Sequence, residues 1–380
     1  MLFFKIKHLI NFGAMAKVCF FNTIVFWGGG EKLHLETALE FQKLGHEIVV
    51  CSNEEAPLYS KSKKHSLEVF SLRVGNLSFL NPFKLYRCIR FFRASNVDAV
   101  VFSSSQDSKM AGIAARLAGV KKIVYLRGLA APIKSSVVNR YLFKSCLTHI
   151  IANSEETKRM ILKNLSPVID LKKVHIVYHG IDVSKIDLSK KKILPEIEGK
   201  GRGIVLGNAG RLTAQKGQKY LIDIALYLKE KGLEFTLFIA GSGDMEGELR
   251  DLIDENELNN EIIMLGFVED MDAFMNSIDV FLLTSEWEGF GFVLVEAMAR
   301  EVPVVCFDIT SNPEIIKDKE TGFLAPFADT RKFSEYILTL TKESNARIEM
   351  GKAGRQRVLK EFVIEDRILE LNQCIFDLEN

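Results

Sequence analysis

Ser285-Glu286-Trp287-Glu288-Gly289-Phe290-Gly291-Phe292-Val293-Leu294-Val295-Glu296-Ala297-Met298-Ala299 lies between two apolar runs, Ile278 to Leu283 and Val302 to Phe307. The order reads as strand, glycine loop, helix, strand, the repeating unit of a parallel sheet. Phe290, Val293, Leu294 and Ala297 recur at helical spacing and can pack on that sheet, which leaves the helix's opening amides at the strand ends. Helix starts of this kind bind anions, phosphate above all. Glu288 falls on the loop, placed for sugar hydroxyls. Glu296, about two turns on within the helix, can accept from a ribose diol beside the bound phosphate. The arrangement suits a nucleotide-sugar ligand.

Outward from this segment, the same alternation recurs in both directions. Strand patterns at Ile204 to Asn208, Phe235 to Ala240, Ile262 to Leu265, Val280 to Thr284 and Val304 to Phe307 are separated by helical ones, predicting a doubly wound sheet over residues 204–354. A second alternating array fills the chain before Asp182, with strands at Val18 to Phe21, Ile48 to Cys51, Val69 to Leu72, Ala99 to Phe102, Ile123 to Leu126, Ile150 to Ala152 and Val174 to Val177. We therefore expect an α/β protein of two Rossmann-like domains. The first covers residues 1–183. Residues 184–203, with Lys190-Lys191-Lys192, Pro195 and three glycines, read as a flexible linker, and 355–380 read as a helix that crosses back to the first domain.

A length of 380 residues fits two domains, and 50 basic against 49 acidic residues argue against a nucleic-acid binder that works through bulk charge. The six cysteines are scattered with no Cys-x-x-Cys pair, so we read them as reduced, mostly buried thiols of a cytoplasmic protein. No apolar run approaches the ~18 residues of a membrane span. Residues 1–14 lack a signal-cleavage pattern and read either as a misassigned start before Met15 or as a short interfacial segment.

Gly210-Arg211-Leu212-Thr213-Ala214-Gln215-Lys216-Gly217 follows the Ile204 strand and precedes a helical pattern. Arg211 and Lys216 on such a loop are what a diphosphate leaving group needs, because charge develops on its oxygen as the sugar bond breaks. Read alone, they are equally two solvated loop charges. Trp27-Gly28-Gly29-Gly30-Glu31 follows the first strand and permits close backbone approach to a ligand, or is an ordinary flexible loop. Asp270-Met271-Asp272 looks like a metal motif, yet acidic residues in a first helical turn are favoured by capping and dipole. Gly241-Ser242-Gly243-Asp244-Met245-Glu246-Gly247 imitates a dinucleotide fingerprint with one residue too many. Residues 81–93 form a basic, aromatic helix, Asn81-Pro82-Phe83-Lys84-Leu85-Tyr86-Arg87-Cys88-Ile89-Arg90-Phe91-Phe92-Arg93, which either packs on a sheet or also touches anionic lipid.

Together with Gly45-His46-Glu47, Asn153-Ser154, Gly180-Ile181-Asp182, Pro303-Val304-Val305, Pro313-Glu314-Ile315 and Thr321-Gly322-Phe323-Leu324, these motifs resemble glycosyltransferase family 4 in order across nearly the whole chain. The resemblance implies the GT-B fold with two domains facing a cleft, a nucleoside-diphosphate-sugar donor, retention of anomeric configuration, and neither metal nor cofactor. It implies that Arg211 and Lys216 hold the donor diphosphate, Glu296 the ribose and Glu288 the donor sugar. Backbone amides of Gly289, Phe290, Gly291, Phe292 and Val293 would complete the pocket. Gly28 and Gly29 would approach the phosphates, and Phe267 and Val268 would line the nucleobase. Arg127-Gly128-Leu129 departs from the His-Gly or His-Asp of many members. Arg127 reads as a cation for phosphate or an anionic acceptor, or as an arginine with a structural partner.

The expected partners are a nucleotide sugar and a saccharide or lipid-linked acceptor, with peripheral contact to an anionic membrane and no nucleic acid. The expected role is polysaccharide or glycolipid biosynthesis. A hydrolase or epimerase of the same fold, an NAD-dependent oxidoreductase and a non-catalytic sugar-nucleotide binder are the rival readings.

Overall fold

The structure, a computed structural model, describes residues 15–189 and 192–376. The expectations for residues 1–14, and Lys190 and Lys191 of the linker, fall outside the described residues. The chain divides into two compact units, one ending at Val177 and rejoined by the chain from Arg367 onward, the other running from Tyr178 to Asp366.

Among the described residues, the first unit is built on seven strands: β1 (Lys17–Phe21), β2 (Glu47–Ser52), β3 (Glu68–Ser71), β4 (Ala99–Phe102), β5 (Lys122–Arg127), β6 (His149–Ala152) and β7 (Val174–Ile176). They pair in parallel in the order β3-β2-β1-β4-β5-β6-β7. Every residue of β4 and β6 is buried, as runs of Val, Ile, Phe and Ala require when helices cover both faces of a sheet. Chain direction reverses between β1 and β4, so the loops leaving those two strands diverge and open a crevice at the carboxyl ends.

The second unit repeats the plan with six strands among the described residues: β8 (Ile204–Ala209), β9 (Phe235–Ala240), β10 (Ile262–Gly266), β11 (Val280–Leu283), β12 (Val304–Phe307) and β13 (Gly322–Ala325). The order is β10-β9-β8-β11-β12-β13, all parallel, with the reversal between β8 and β11. The loops that leave these two strands carry Gly210–Gly217 and Ser285–Gly291.

Several elements differ from the sequence reading. Residues 355–380 read as one helix. Two form instead, Ser344–Glu361 and Ile364–Phe376, broken where Phe362 O accepts from Ile181 N at 2.8 Å and Ile181 O from Ile364 N at 3.1 Å. A Cβ on Gly180 would stand 2.5 Å from the Ile364 Cα, so only glycine lets these two backbones meet. Residues 192–203, read as flexible spacer, lie against the second unit: Leu194 and Ile197 are buried in its core and Leu194 N donates to Ser277 Oγ at 2.8 Å. Between β5 and β6 lies a short α-helix, Val137–Tyr141, that widens into a π turn, Leu142–Cys146. All six cysteines are free thiols, five of them buried and Cys374 half-buried.

Candidate active site at the strand ends of the second unit

Close backbone packing shapes the loops that leave β8, β9 and β11. Gly241, at φ +146°, lies so near the Gly210 carbonyl that any side chain would collide with it, and Gly243 meets the Leu212 carbonyl in the same way. Gly241 and Gly243 of the run that imitates a dinucleotide fingerprint are therefore accounted for by loop-to-loop packing, whereas a Cβ on Gly247 would meet nothing within 4 Å. Gly217 adopts the left-handed conformation, φ +59°, against the Thr284 carbonyl, and so ends the turn Ala214–Lys216 and aims Lys216 at the β11 loop.

Two hydrogen bonds fasten the loops together. Gln215 Nε2 donates to Trp287 O at 3.0 Å, and Glu286 N donates to Gln215 O at 2.8 Å. Between them the Lys216 ammonium stands 2.5 Å from Glu288 Oε1, which also accepts from Ser285 Oγ at 2.6 Å. The Glu288 side chain is 7% exposed and that of Lys216 17%, so the pair sits largely out of water. Glu288 N donates to Thr310 Oγ1 at 2.9 Å, which pins the loop from the β12 side. Such a pair is held by mutual attraction and would leave either partner stranded if the other were removed.

Around it, Arg211 is exposed, and its guanidinium makes no hydrogen bond or ion pair among the described residues. Gly291, at φ +67°, turns the chain into the helix Phe292–Met298, on which Glu296 is half-buried. The Phe290 ring belongs to the core: it is buried, 5.9 Å from Tyr178 and 5.8 Å from Phe362 between ring centres. At the end of β10 Phe267 is 74% exposed, whereas Val268 packs on the core. The structure thus joins Lys216 and Glu288 directly, and carries Arg211, the Gly289–Val293 backbone and Glu296 on the same two loops and the helix that follows the second.

Gly28, Gly29 and Arg127 belong to the first unit. Gly28 caps the helix Gly29–Lys43, and a Cβ on Gly29 would meet nothing within 4 Å. Arg127 closes β5 and is buried. Its Nη1 donates to Tyr125 Oη at 3.0 Å and Ser105 Oγ at 3.3 Å, and Nη2 to Ala131 O at 3.2 Å, while Nε is buried without a partner. Asp107, fully buried nearby in sequence to Ser105, accepts from Thr23 Oγ1 at 2.5 Å and Ser104 Oγ at 2.6 Å, and burial pushes its carboxyl up to about 6. It makes no ion pair with Arg127.

Asp270 and Asp272 act structurally. Asp270 caps the helix Met271–Asn276 by accepting from Ala273 N at 2.9 Å and pairs with Lys192 at 2.6 Å, while Asp272 pairs with Arg300. Sequence reasoning missed Ser285, Gln215 and Thr310. Ser285 had a signal, a hydroxyl at the end of an apolar strand beside two glutamates. Thr310 lies after a different strand and had none.

Two parallel sheets, each wound on both faces and reversing direction between its first and fourth strand, make this a GT-B glycosyltransferase fold. The Anabaena protein Alr3699/HepE, solved in complex with UDP and glucose, superposes with a TM-score of 0.81 at 21% identity, covering 96% of this chain and 100% of that one. The profile described as Glycosyltransferase Family 4 matches residues 27–185, and that described as Glycosyl transferases group 1 matches residues 189–357. The chain belongs to glycosyltransferase family 4. Among its relatives, the Escherichia coli UDP-Gal:alpha-D-GlcNAc-diphosphoundecaprenol alpha-1,3-galactosyltransferase is 26% identical over 318 residues, spanning 80% of this chain and 81% of that protein. The Staphylococcus aureus capsular polysaccharide biosynthesis glycosyltransferase CapM is 30% identical over 227 residues, 57% of this chain and 58% of that protein.

Proposed function

We propose that the chain transfers a sugar from a nucleoside-diphosphate donor to a saccharide or lipid-linked acceptor, with retention of configuration, in cell-surface polysaccharide or glycolipid biosynthesis. The observation that carries this reading is the Lys216–Glu288 pair at 2.5 Å, at the sheet reversal, on a loop that also carries Arg211, whose guanidinium has no partner among the described residues. The cations suit a diphosphate, and a buried carboxylate suits sugar hydroxyls. Glu296 takes the ribose, the Gly289–Val293 backbone the phosphates, and the exposed Phe267 ring the base. The relatives' names, one acting on a diphosphoundecaprenol-linked sugar and one in capsule synthesis, support the acceptor class.

In this mechanism the bond between the sugar's anomeric carbon and the diphosphate oxygen breaks while Arg211 and Lys216 stabilise the charge left on that oxygen. The departing phosphate takes the proton of the acceptor hydroxyl. The acceptor oxygen then bonds to the anomeric carbon on the same face, so no protein nucleophile is required. The reading assigns no resident metal and no cofactor.

The test is release of nucleoside diphosphate from a panel of UDP-, GDP- and ADP-sugars without acceptor. Slow release from one donor, lost in Glu296→Ala, is the expected outcome. Turnover of NAD with no response to any nucleotide sugar would overturn the reading.

We also place the protein at the cytoplasmic face of an anionic membrane. The helix Pro82–Ala94 buries Cys88 and Phe92 against the first sheet and turns outward Phe83, 84% exposed, Tyr86, 66% exposed, and Arg87, Arg90 and Arg93. Exposed rings among exposed cations match a headgroup surface. No helix among the described residues is long and apolar enough to cross a membrane. Liposome co-sedimentation should rise with anionic lipid and fall in Phe83→Ser/Arg90→Glu; sedimentation indifferent to lipid charge would exclude this contact.

A further inference from the structure

We infer that Arg127 is the resident cation of an anion site in the first unit, and that the site takes the phosphate or diphosphate group of a lipid-linked acceptor. The inference rests on the transferase reading for the word acceptor, and on the first unit alone for the site.

A guanidinium keeps its proton at any physiological pH, so burying it without a counter-ion carries a cost of several kcal/mol. Arg127 is 6% exposed, and among the described residues no carboxylate lies within ion-pair distance of it. Its partners, the Tyr125 and Ser105 hydroxyls and the Ala131 carbonyl, orient the group without neutralising it. Ser105 opens the fourteen-residue helix Ser105–Ala118, whose partial positive charge is met by the buried Asp107 in its own first turn, so that this carboxylate serves the helix start and its Thr23 and Ser104 partners and makes no ion pair with Arg127.

A second group is unsatisfied beside the first. Asn153, 5% exposed, follows β6, which pairs with β5, and its Nδ2 reaches Gly128 O at 3.4 Å while Oδ1 is buried without a partner. The unpartnered Arg127 Nε and Asn153 Oδ1 thus leave one donor and one acceptor unsatisfied at the ends of two adjacent strands. An anion adjoining a hydroxyl satisfies both. Phosphate is favoured over a sugar carboxylate because its tetrahedral oxygens can meet the planar guanidinium fork and a second polar neighbour at once. Leu129, 43% exposed two residues after Arg127, offers apolar surface where a phosphate-linked hydrocarbon would begin.

The test is thermal denaturation of the full chain in an Arg211→Gln/Lys216→Ala/Glu288→Gln background, which removes both donor-side cations without stranding the Glu288 charge, with farnesyl diphosphate as probe and farnesol and glucuronate as controls. At a hundredfold excess over its Kd, farnesyl diphosphate is expected to raise the melting temperature by about 5 °C, and the controls by nothing. Adding Arg127→Gln should abolish the shift, and Arg127→Lys should keep part of it. Without ligand, Arg127→Met should melt no lower than its parent, because an uncompensated charge has been removed. A shift that survives Arg127→Gln, no shift at all, or a shift with glucuronate alone would overturn the proposal. So would Arg127→Met melting several degrees lower, which would make Arg127 a structural residue. Failure of the donor panel would sink the transferase reading and leave this binding result standing.

Discussion

Lys216→Ala should lower donor turnover by at least about a hundredfold, the scale on which a single charge-stabilising donor acts. The ammonium is the one group in the second unit that touches Glu288 and also lies on the loop expected to carry the diphosphate. Its loss has a second consequence. Glu288 would keep only the Ser285 hydroxyl at 2.6 Å, and a buried carboxylate stripped of its counter-ion costs about 3–5 kcal/mol. Melting and turnover must therefore be read together. Lys216→Ala/Glu288→Gln removes the stranded charge, so it should regain most of the lost stability and none of the lost turnover. Wild-type turnover in a folded Lys216→Ala protein would remove Lys216 from the mechanism.

Gly217→Ala should destabilise the second unit by at least about 2 kcal/mol, combining a left-handed backbone with a collision that a carbonyl cannot avoid. The residue sits at φ +59°, and the new methyl would run into the Thr284 carbonyl oxygen at the end of β11. Gly247→Ala is the matched control, since that glycine lies in the helix Glu246–Glu255 with nothing within 4 Å of the added Cβ. It should be neutral or stabilise by up to about 1 kcal/mol. Urea titration of both variants decides the matter, and equal midpoints would mean that the β8 and β11 loops are not locked as described.

The winding of both sheets was legible because their central strands are buried on both faces and so read as unbroken Val, Ile, Leu and Phe runs between amphipathic helices. β13 was not, since four residues beginning with glycine carry no periodicity. The break at Phe362–Val363 escaped because its cause, the Ile181 backbone, lies far away in sequence. Residues 192–203 looked solvated by composition, yet two apolar side chains, Leu194 and Ile197, were enough to bury part of the segment.

At the candidate site the residue types and loops were legible from Gly210–Gly217 and Ser285–Ala299, and the pairing was not. Lys216 and Glu288 are joined only because β8 and β11 are neighbours, a fact of strand order that no local pattern encodes. Glu288 read as a loop carboxylate with no partner named, while the burial of the Phe290 ring followed from its helical spacing. The bareness of Arg127 was equally hidden, because it depends on which side chains fail to reach it.

The Lys216–Glu288 pair also bears on selectivity. A simple inorganic anion that draws the ammonium toward itself leaves behind a carboxylate with one hydroxyl donor and nothing else, and that orphaned group taxes the complex. A ligand that brings hydroxyl hydrogens along with its phosphates satisfies both halves at once. Under the proposed function, the Glu288 carboxylate thus acts as a built-in decoy for the Lys216 ammonium, one that disfavours an anion bringing no hydroxyl hydrogens of its own.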